Sequence, residues 1–437
     1  MYIDLRLFKA LAVLAVLYLL SFWFTSLFPI ANLLLLVLAL LFVMDLLALY
    51  GKGSRLEANR LLPEKFSNSD PNDVPISIQN NYTFTTHLDI IDEIPVQFQK
   101  RDFKKELTVG PRDKTRFIYS LRPTERGEYI FGNLNIYASS RIKLVKRRYQ
   151  YKKDQLVKVY PSFIQMKKYA FMAMDNKLNL YGMKKIRRIG HTMDFEQIKD
   201  YILGDDVRTI NWKATAKRAS LMVNQFQDEK SQPVYTIIDA SRVMKMPFKG
   251  LTLLDYAINS TLAFSNIALK KKDKVGLLTF AENIKNHLPA NSKKTHLNTI
   301  LEVLYNINTK FLDSDFSTLY NQIKRKINHR SLLLLYTNFE HISSLERQMR
   351  YLQALSRKHI LVVIFFKNTE LDTLLAAPSK DIPEIYHKTI AQKADYDKKL
   401  MVQLLERHGI QAILTKPENL TVNTINKYLE IKARGIL

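Results

Sequence analysis

The chain contains no cysteine in 437 residues, which excludes disulfides, thiolate nucleophiles and cysteine-ligated metals, and fits a reducing compartment. Glycine is scarce, 12 residues in all, and none lies in Asp239-Ala240-Ser241-Arg242, the loop after the first strand of the C-terminal third. A dinucleotide site or nucleotide P-loop needs glycine there for the backbone to approach phosphates. Gly-x-Ser-x-Gly elbows and Ser/His/Asp sets are missing too, so no catalytic constellation is expected. His287, His296, His329, His341, His359, His387 and His408 are scattered, fitting surfaces and helix ends better than a zinc centre. Acidic residues are outnumbered, 41 against 66 Lys plus Arg, leaving a net charge of +25. Such an excess favours anionic partners: acidic lipid, acidic protein or nucleic acid.

Formal charge vanishes entirely between Ala10 and Met44. Roughly 20 apolar residues cross a ~30 Å hydrocarbon core, so this run suffices for two crossings joined by a turn at Phe28-Pro29-Ile30-Ala31-Asn32. Trp23 suits the far interface. Arg6 and Lys9 precede the first crossing, Lys52, Arg55 and Arg60 follow the second, and the turn carries no basic residue. The positive-inside rule then places both ends in the cytoplasm, giving a two-pass protein of the inner membrane. A cleaved signal peptide is the alternative, but no small-x-small site follows and a second apolar run does. Asp45 is expected to reach the interface at the end of the second crossing rather than to relay protons.

From about Leu56 to Tyr160 the pattern turns to period two. Val74-Pro75-Ile76-Ser77-Ile78, Ile94-Pro95-Val96-Gln97-Phe98 and Tyr129 to Ile136 read as short strands between turn signals, predicting an antiparallel β-sandwich that serves as a spacer or docking module. Lys143, Lys146, Arg147, Arg148, Lys152 and Lys153, and later Lys184, Lys185, Arg187 and Arg188, form basic clusters. A solvated face explains them most simply, then anionic lipid. Nucleic acid ranks last, for want of a recognition helix, zinc site or stacking motif.

From Pro233 apolar strands alternate with helices. Strands are expected at Val234–Ile238, Lys274–Phe280, Leu332–Tyr336, Ile360–Phe366 and Ile410–Leu414. Helices are expected at Leu251–Leu269, around Leu297–Leu304 and Phe316–Ile327, at Leu345–Arg357, from Ile385 to His408 and from Leu420. This predicts a mostly parallel sheet in a doubly wound α/β domain. The organisation expected is 1–50 membrane helices, 51–165 sandwich, 166–232 a signature segment and 233–437 the α/β domain.

The signature segment carries a resemblance. Gly190-His191-Thr192-Met193-Asp194-Phe195-Glu196-Gln197-Ile198-Lys199-Asp200-Tyr201, Gly204-Asp205-Asp206-Val207-Arg208-Thr209-Ile210-Asn211-Trp212-Lys213-Ala214-Thr215-Ala216-Lys217-Arg218 and Val234 to Met244 are similar to the family called domain of unknown function 58. Arg126-Gly127-Glu128-Tyr129 and Val159-Tyr160-Pro161 add to it. The resemblance implies a von Willebrand A-like domain and partnership with MoxR-type AAA ATPases and other von Willebrand A-like proteins. The task implied is non-enzymatic assembly or maturation of client complexes.

Such domains hold a divalent ion, Mg²⁺ for instance, in an Asp-x-Ser-x-Ser loop completed by a Thr and a later Asp. Here Asp239 and Ser241 match, Val243 replaces the third oxygen donor, Ser314 stands in for the Thr, and Asn338 replaces the Asp. Asp315 is a further carboxylate nearby. The implied site is degenerate and no cofactor is expected. A metal-dependent receptor stays open as an alternative, as does a basic lipid or nucleic-acid binder. Without metal, Asp239 would be a hydrogen-bonded strand end and Ser241 a helix cap. In Gly204, Asp205, Asp206, Arg208 and Trp212 a structural role is expected: glycine turn, acid–Arg208 pair, and Trp212 packed on the α/β domain. A docking surface is the alternative.

Overall fold

The computed structural model describes all residues except 52–54, 152–153, 175–193, 204, 228–230, 310, 377, 379–380 and 436–437. It divides into two compact units, Met1–Tyr160 and Pro161–Leu437.

The first unit opens with β1 (Tyr2–Ile3), α1 (Leu5–Leu20) and α2 (Leu27–Tyr50). Then come β2 (Leu56–Arg60), β3 (Lys65–Ser67), β4 (Asn72–Asn80), β5 (Thr86–Asp92), β6 (Lys104–Val109) and β7 (Lys114–Leu121). It closes with β8 (Gly127–Phe131), β9 (Leu134–Ser139), β10 (Val145–Tyr151) and β11 (Gln155–Tyr160). The strands form a five-stranded sheet β1-β10-β9-β5-β6 and two three-stranded sheets, β2-β4-β7 and β3-β11-β8. Alternation sets the faces: Val74, Ile76 and Ile78 of β4 and Leu88 and Ile90 of β5 are buried, as the two-residue period demands.

The helices are built into this unit. β1 pairs antiparallel with β10, Asp4 caps α1 and ion-pairs with Lys146 at 2.8 Å, and Leu7 and Leu49 join the core of Ile76, Ile78 and Leu88. Asp45 of α2 is fully buried, and its Oδ2 accepts the backbone N–H groups of Leu144 at 2.9 Å and Val145 at 3.0 Å. The carbonyl of Leu49 accepts from Tyr82 Oη at 2.9 Å and from the Arg147 guanidinium at 2.6 Å. A cation at a helix C-terminus complements the macrodipole. Asp45 therefore docks a helix rather than facing an interface.

The second unit begins with α3 (Phe163–Met174), β12 (Asp194–Asp200), α4 (Trp212–Arg218) and β13 (Met222–Gln227). β14 (Pro233–Asp239), β15 (Pro247–Phe248), β16 (Leu251–Thr252), α5 (Leu253–Lys270), β17 (Lys274–Phe280), β18 (Ile284–Asn291), α6 (His296–Tyr305) and α7 (Phe316–Lys326) follow. The chain ends with β19 (Leu332–Tyr336), α8 (Ile342–Ser356), β20 (Ile360–Phe366), α9 (Glu370–Ala376), α10 (Ile382–Arg407), β21 (Gln411–Thr415) and α11 (Leu420–Ala433). A six-stranded sheet runs β18-β17-β14-β19-β20-β21. Its strands pair in parallel except β18, which returns antiparallel to β17. One face packs Val234, Ile238 and Leu334 against α5, α6 and α11; the other packs Ile237, Leu335 and Val363 against α7, α8 and α10. Gly276 is required in β17, because a Cβ there would lie 2.3 Å from the Tyr235 ring.

The expected fold class, a doubly wound α/β domain and one sandwich behind a transmembrane hairpin, does not stand. Most strand pairings are antiparallel, the first unit has three sheets, and the large sheet is mixed. Among the described residues one helix, Leu27–Tyr50, is long and apolar enough to cross a membrane. The 16 residues of α1 reach only ~24 Å, and their first turn is fastened to β10. The connection between the helices falls at 21–26, so Phe28–Asn32 is helical. Pro29 sits in the first turn of α2, where its missing N–H leaves no bond unmade. Ile94–Phe98 is not a strand: Val96–Phe98 forms a 3₁₀ turn. The edge strand β18 escaped sequence reading because it alternates without a continuous apolar run.

Candidate functional site

Asp239 ends β14, between β17 and β19, at the carboxyl edge of the six-stranded sheet, where open α/β sheets bind ligands. Its side chain is fully buried. Oδ1 accepts the Ser241 N–H at 2.9 Å, and Oδ2 accepts the hydroxyls of Ser314 at 2.8 Å and Thr337 at 2.7 Å. Ser314 Oγ also lies 2.8 Å from Ser241 Oγ. Burial pushes the Asp239 carboxyl above its ordinary range, and the bonds from Ser241, Thr337 and Ser314 offset only part of that shift.

Asp239, Ser241 and Ser314 thus come together, and Thr337 completes the group. Asn338 does not join them: its Oδ1 accepts from Lys398 Nζ at 2.9 Å, and Lys398 also donates to the Phe339 carbonyl. Burial pushes the Lys398 amine down to about 8, with Glu340 opposing the shift. Asp315 caps α7 instead, accepting from Ser317 N at 2.8 Å and Thr318 Oγ1 at 2.5 Å. Burial alone would raise its pKa, but these bonds hold it below the ordinary value. Val243 is partly buried against the apolar core. Hard dications favour several carboxylate oxygens, whereas this cluster offers one carboxylate and three hydroxyls, with an ammonium on the fourth expected ligand. The residues present fit a divalent ion poorly. Among the described residues no group of three or more His, Asp or Glu is arranged to hold a metal.

The second candidate is the signature segment. β12 and β13 form a two-stranded ribbon with a bulge between Phe195 and Gln197. Asp205 ion-pairs with Lys199 at 2.9 Å and accepts the Ile202 N–H at 3.0 Å. Asp206 accepts the backbone N–H of Arg208 at 3.0 Å. Gly204 and Gly190 to Met193 lie outside the described residues, as do Lys152, Lys153, Lys184, Lys185, Arg187 and Arg188. Asn211 caps α4 through the Ala214 N–H at 3.0 Å. Trp212 is 70% exposed, not packed on the sheet domain.

Residues 197–374 match the family described as "Protein of unknown function DUF58". The chain is also 23% identical over 137 residues to "Uncharacterized protein YeaD" of Bacillus subtilis (strain 168), a stretch covering 31% of this chain and 32% of that protein. It therefore spans about a third of that relative's length. The solved structure of the conserved hypothetical protein BatB from Bacteroides thetaiotaomicron is 15% identical, covering 46% of this chain and 99% of that one, at a TM-score of 0.32. A PapD-like domain of human CEP192 is 8% identical, covering 24% and 84%, at a TM-score of 0.18.

Two concavities flank the Asp239 cluster. One of 210 Å³ is lined by Asn338, Glu340, Lys398 and apolar side chains including Phe248 and Phe366. The other, 530 Å³ and open, is lined by Ser314, Asp315, Arg347, Gln348, Arg350 and Tyr351. Thr337 was within reach of sequence reasoning, standing beside Asn338 in the quoted Tyr336-Thr337-Asn338-Phe339. Lys398 was not, because nothing in its polar helix distinguishes it from the neighbouring lysines. Two of the scattered histidines are interior: His296 is buried with Nε2 3.0 Å from the Val275 carbonyl, and burial pushes His359 down to about 4.

Proposed function

We propose that this is a membrane-attached, non-enzymatic interaction protein of the inner membrane, presenting a von Willebrand A-like domain to the cytoplasm. Its partner would be a MoxR-type AAA ATPase, with other von Willebrand A-like proteins, in assembly or maturation of client complexes. The ATPase supplies the work, and this chain presents the client or holds the complex at the bilayer.

The observation that supports this reading is the self-contained Asp239 cluster. A nucleophilic hydroxyl needs exposure, an adjacent base and donors for an oxyanion. Ser241 and Thr337 are buried, and Ser314 spends its hydrogen on a carboxylate shared with other donors. Affinity purification of the full chain from detergent extract, with nucleotide trapped, is expected to recover an AAA ATPase. Failure to recover one, or turnover of a substrate by the purified chain, counts against the proposal. A reporter fused at Leu437 that reads outside the cell would refute the cytoplasmic placement.

A metal-dependent receptor is the second reading, favoured by the convergence of four side-chain oxygens around Asp239. Calorimetry with Mg²⁺ or Mn²⁺ decides it: no heat with wild type or with Lys398→Met, which frees Asn338, removes this reading.

A further inference from the structure

The ribbon holds an apolar group in water. Leu203 is 96% exposed, Ile202 and Val207 64% each, and Trp212 70%. The backbone next to them is tied to β13. Tyr201 N donates to the Leu221 carbonyl and Asn211 N to the Met222 carbonyl, both at 2.8 Å. Asn211 Nδ2 donates to Asn224 at 2.8 Å, and Met222 N to Thr215 Oγ1 at 3.0 Å. The turn and α4 are thereby tied to β13, and the large apolar side chains are left outward.

Between 198 and 224, Lys199, Arg208, Lys213, Lys217 and Arg218 outnumber Asp200, Asp205 and Asp206. Arg208, Lys213, Lys217 and Arg218 are exposed. Asp205 is paired with a cation, Lys199; Asp206 accepts the Arg208 backbone N–H at 3.0 Å and Asp200 lies 3.4 Å from Ser220 Oγ. Exposed apolar side chains that include a tryptophan, in a stretch with an excess of cations, match the interfacial zone of a bilayer. There an indole sits at headgroup depth and Lys or Arg meets acidic lipid. The chain itself carries a helix long and apolar enough to cross a membrane, so a lipid surface is present at high effective concentration.

We propose that the face of Ile202, Leu203, Val207 and Trp212 is a peripheral contact for an anionic lipid surface. The bilayer surface is its occupant, with the four basic side chains selecting acidic headgroups. This contact is independent of the ATPase partnership: either can fail while the other stands.

The chain has two tryptophans, Trp23 and Trp212, so Trp23→Phe in the full-length protein leaves Trp212 as sole reporter. The protein is reconstituted into bilayers of phosphatidylcholine alone or mixed with phosphatidylglycerol. With acidic lipid, Trp212 emission is expected to shift to shorter wavelength, to become several-fold less accessible to iodide, and to be quenched by brominated lipid. High salt, or K213E/K217E/R218E, should reverse all three signals without changing the circular dichroism spectrum, because these side chains are exposed. Equal iodide access in both bilayers overturns the proposal. So does shielding that persists in neutral lipid or detergent, which would mark a protein contact.

Discussion

Both units bury carboxylates, and Asp92 of the first and Asp239 of the second are handled in opposite ways. In the first, Asp92 is enclosed with Arg60, whose guanidinium also donates to Gln155 Oε1 at 3.0 Å and the Gly132 carbonyl at 2.9 Å and lies 5.0 Å from the centre of the Phe131 ring. Tyr119 donates to the same carboxylate. In the second, Asp239 meets only neutral donors. Burial raises both carboxyls from their ordinary range, but a full positive charge opposes the shift at Asp92 alone. A buried ion pair is rigid and costly to break on one side. A carboxylate among hydroxyls can exchange its proton or its donors without leaving a stranded cation. The first arrangement is a charged joint, the second a carboxylate held by neutral donors at a strand end.

The largest effect expected from breaking this contrast is at Arg60. Arg60→Ala leaves Asp92 charged and alone and should cost about 3–5 kcal/mol in denaturation of the detergent-solubilised chain, whereas Arg60→Met with Asp92→Leu should recover most of the loss. Asp45 offers a third arrangement, a carboxylate on two backbone amides. Asp45→Ala should cost about 2–3 kcal/mol by stranding both N–H groups, and Asp45→Asn, which keeps an acceptor, roughly half that.

A comparable, pH-dependent effect is expected at His359, whose folded pKa of about 4 lies below its unfolded value. Its contribution is complete above about pH 6.5 and is lost as pH falls toward 4, at about 3 kcal/mol. His359→Gln should flatten stability measured across that window. The smallest effect is expected at Asp239→Asn. The raised carboxyl favours folding below its unfolded pKa near 3.9 and disfavours it as pH rises through the folded value. Asparagine removes that penalty while keeping an acceptor, so stability at neutral pH should change by less than about 1 kcal/mol. A loss of several kcal/mol in metal-containing buffer, absent after chelation, would show that a cation had been compensating Asp239.

Legibility in the sequence followed the range of the interaction. β14, β17, β19 and β20 are continuous apolar runs, and their positions were readable because burial on both faces leaves no alternation to misread. Asp239 and Ser241 were readable because two residues of one loop lie close whatever the fold. The two-helix hairpin was misjudged because composition counts apolar residues and cannot see that α1 is short and that Asp4 at its start is tied to Leu144 and Lys146, some 140 residues away. Trp212 was expected to pack on the α/β domain, whereas its side chain is 70% exposed. Lys398 reaches Asn338 across 60 residues, a distance no local pattern encodes.

The seam at Asp45 also imposes an order of events. Its two amide donors lie 99 and 100 residues downstream, so α2 is complete long before Leu144 and Val145 are synthesised. Until then the carboxylate cannot enter hydrocarbon without a penalty of roughly 2.5–3.5 kcal/mol. The end of α2 therefore acquires its partners only when β10 has been made.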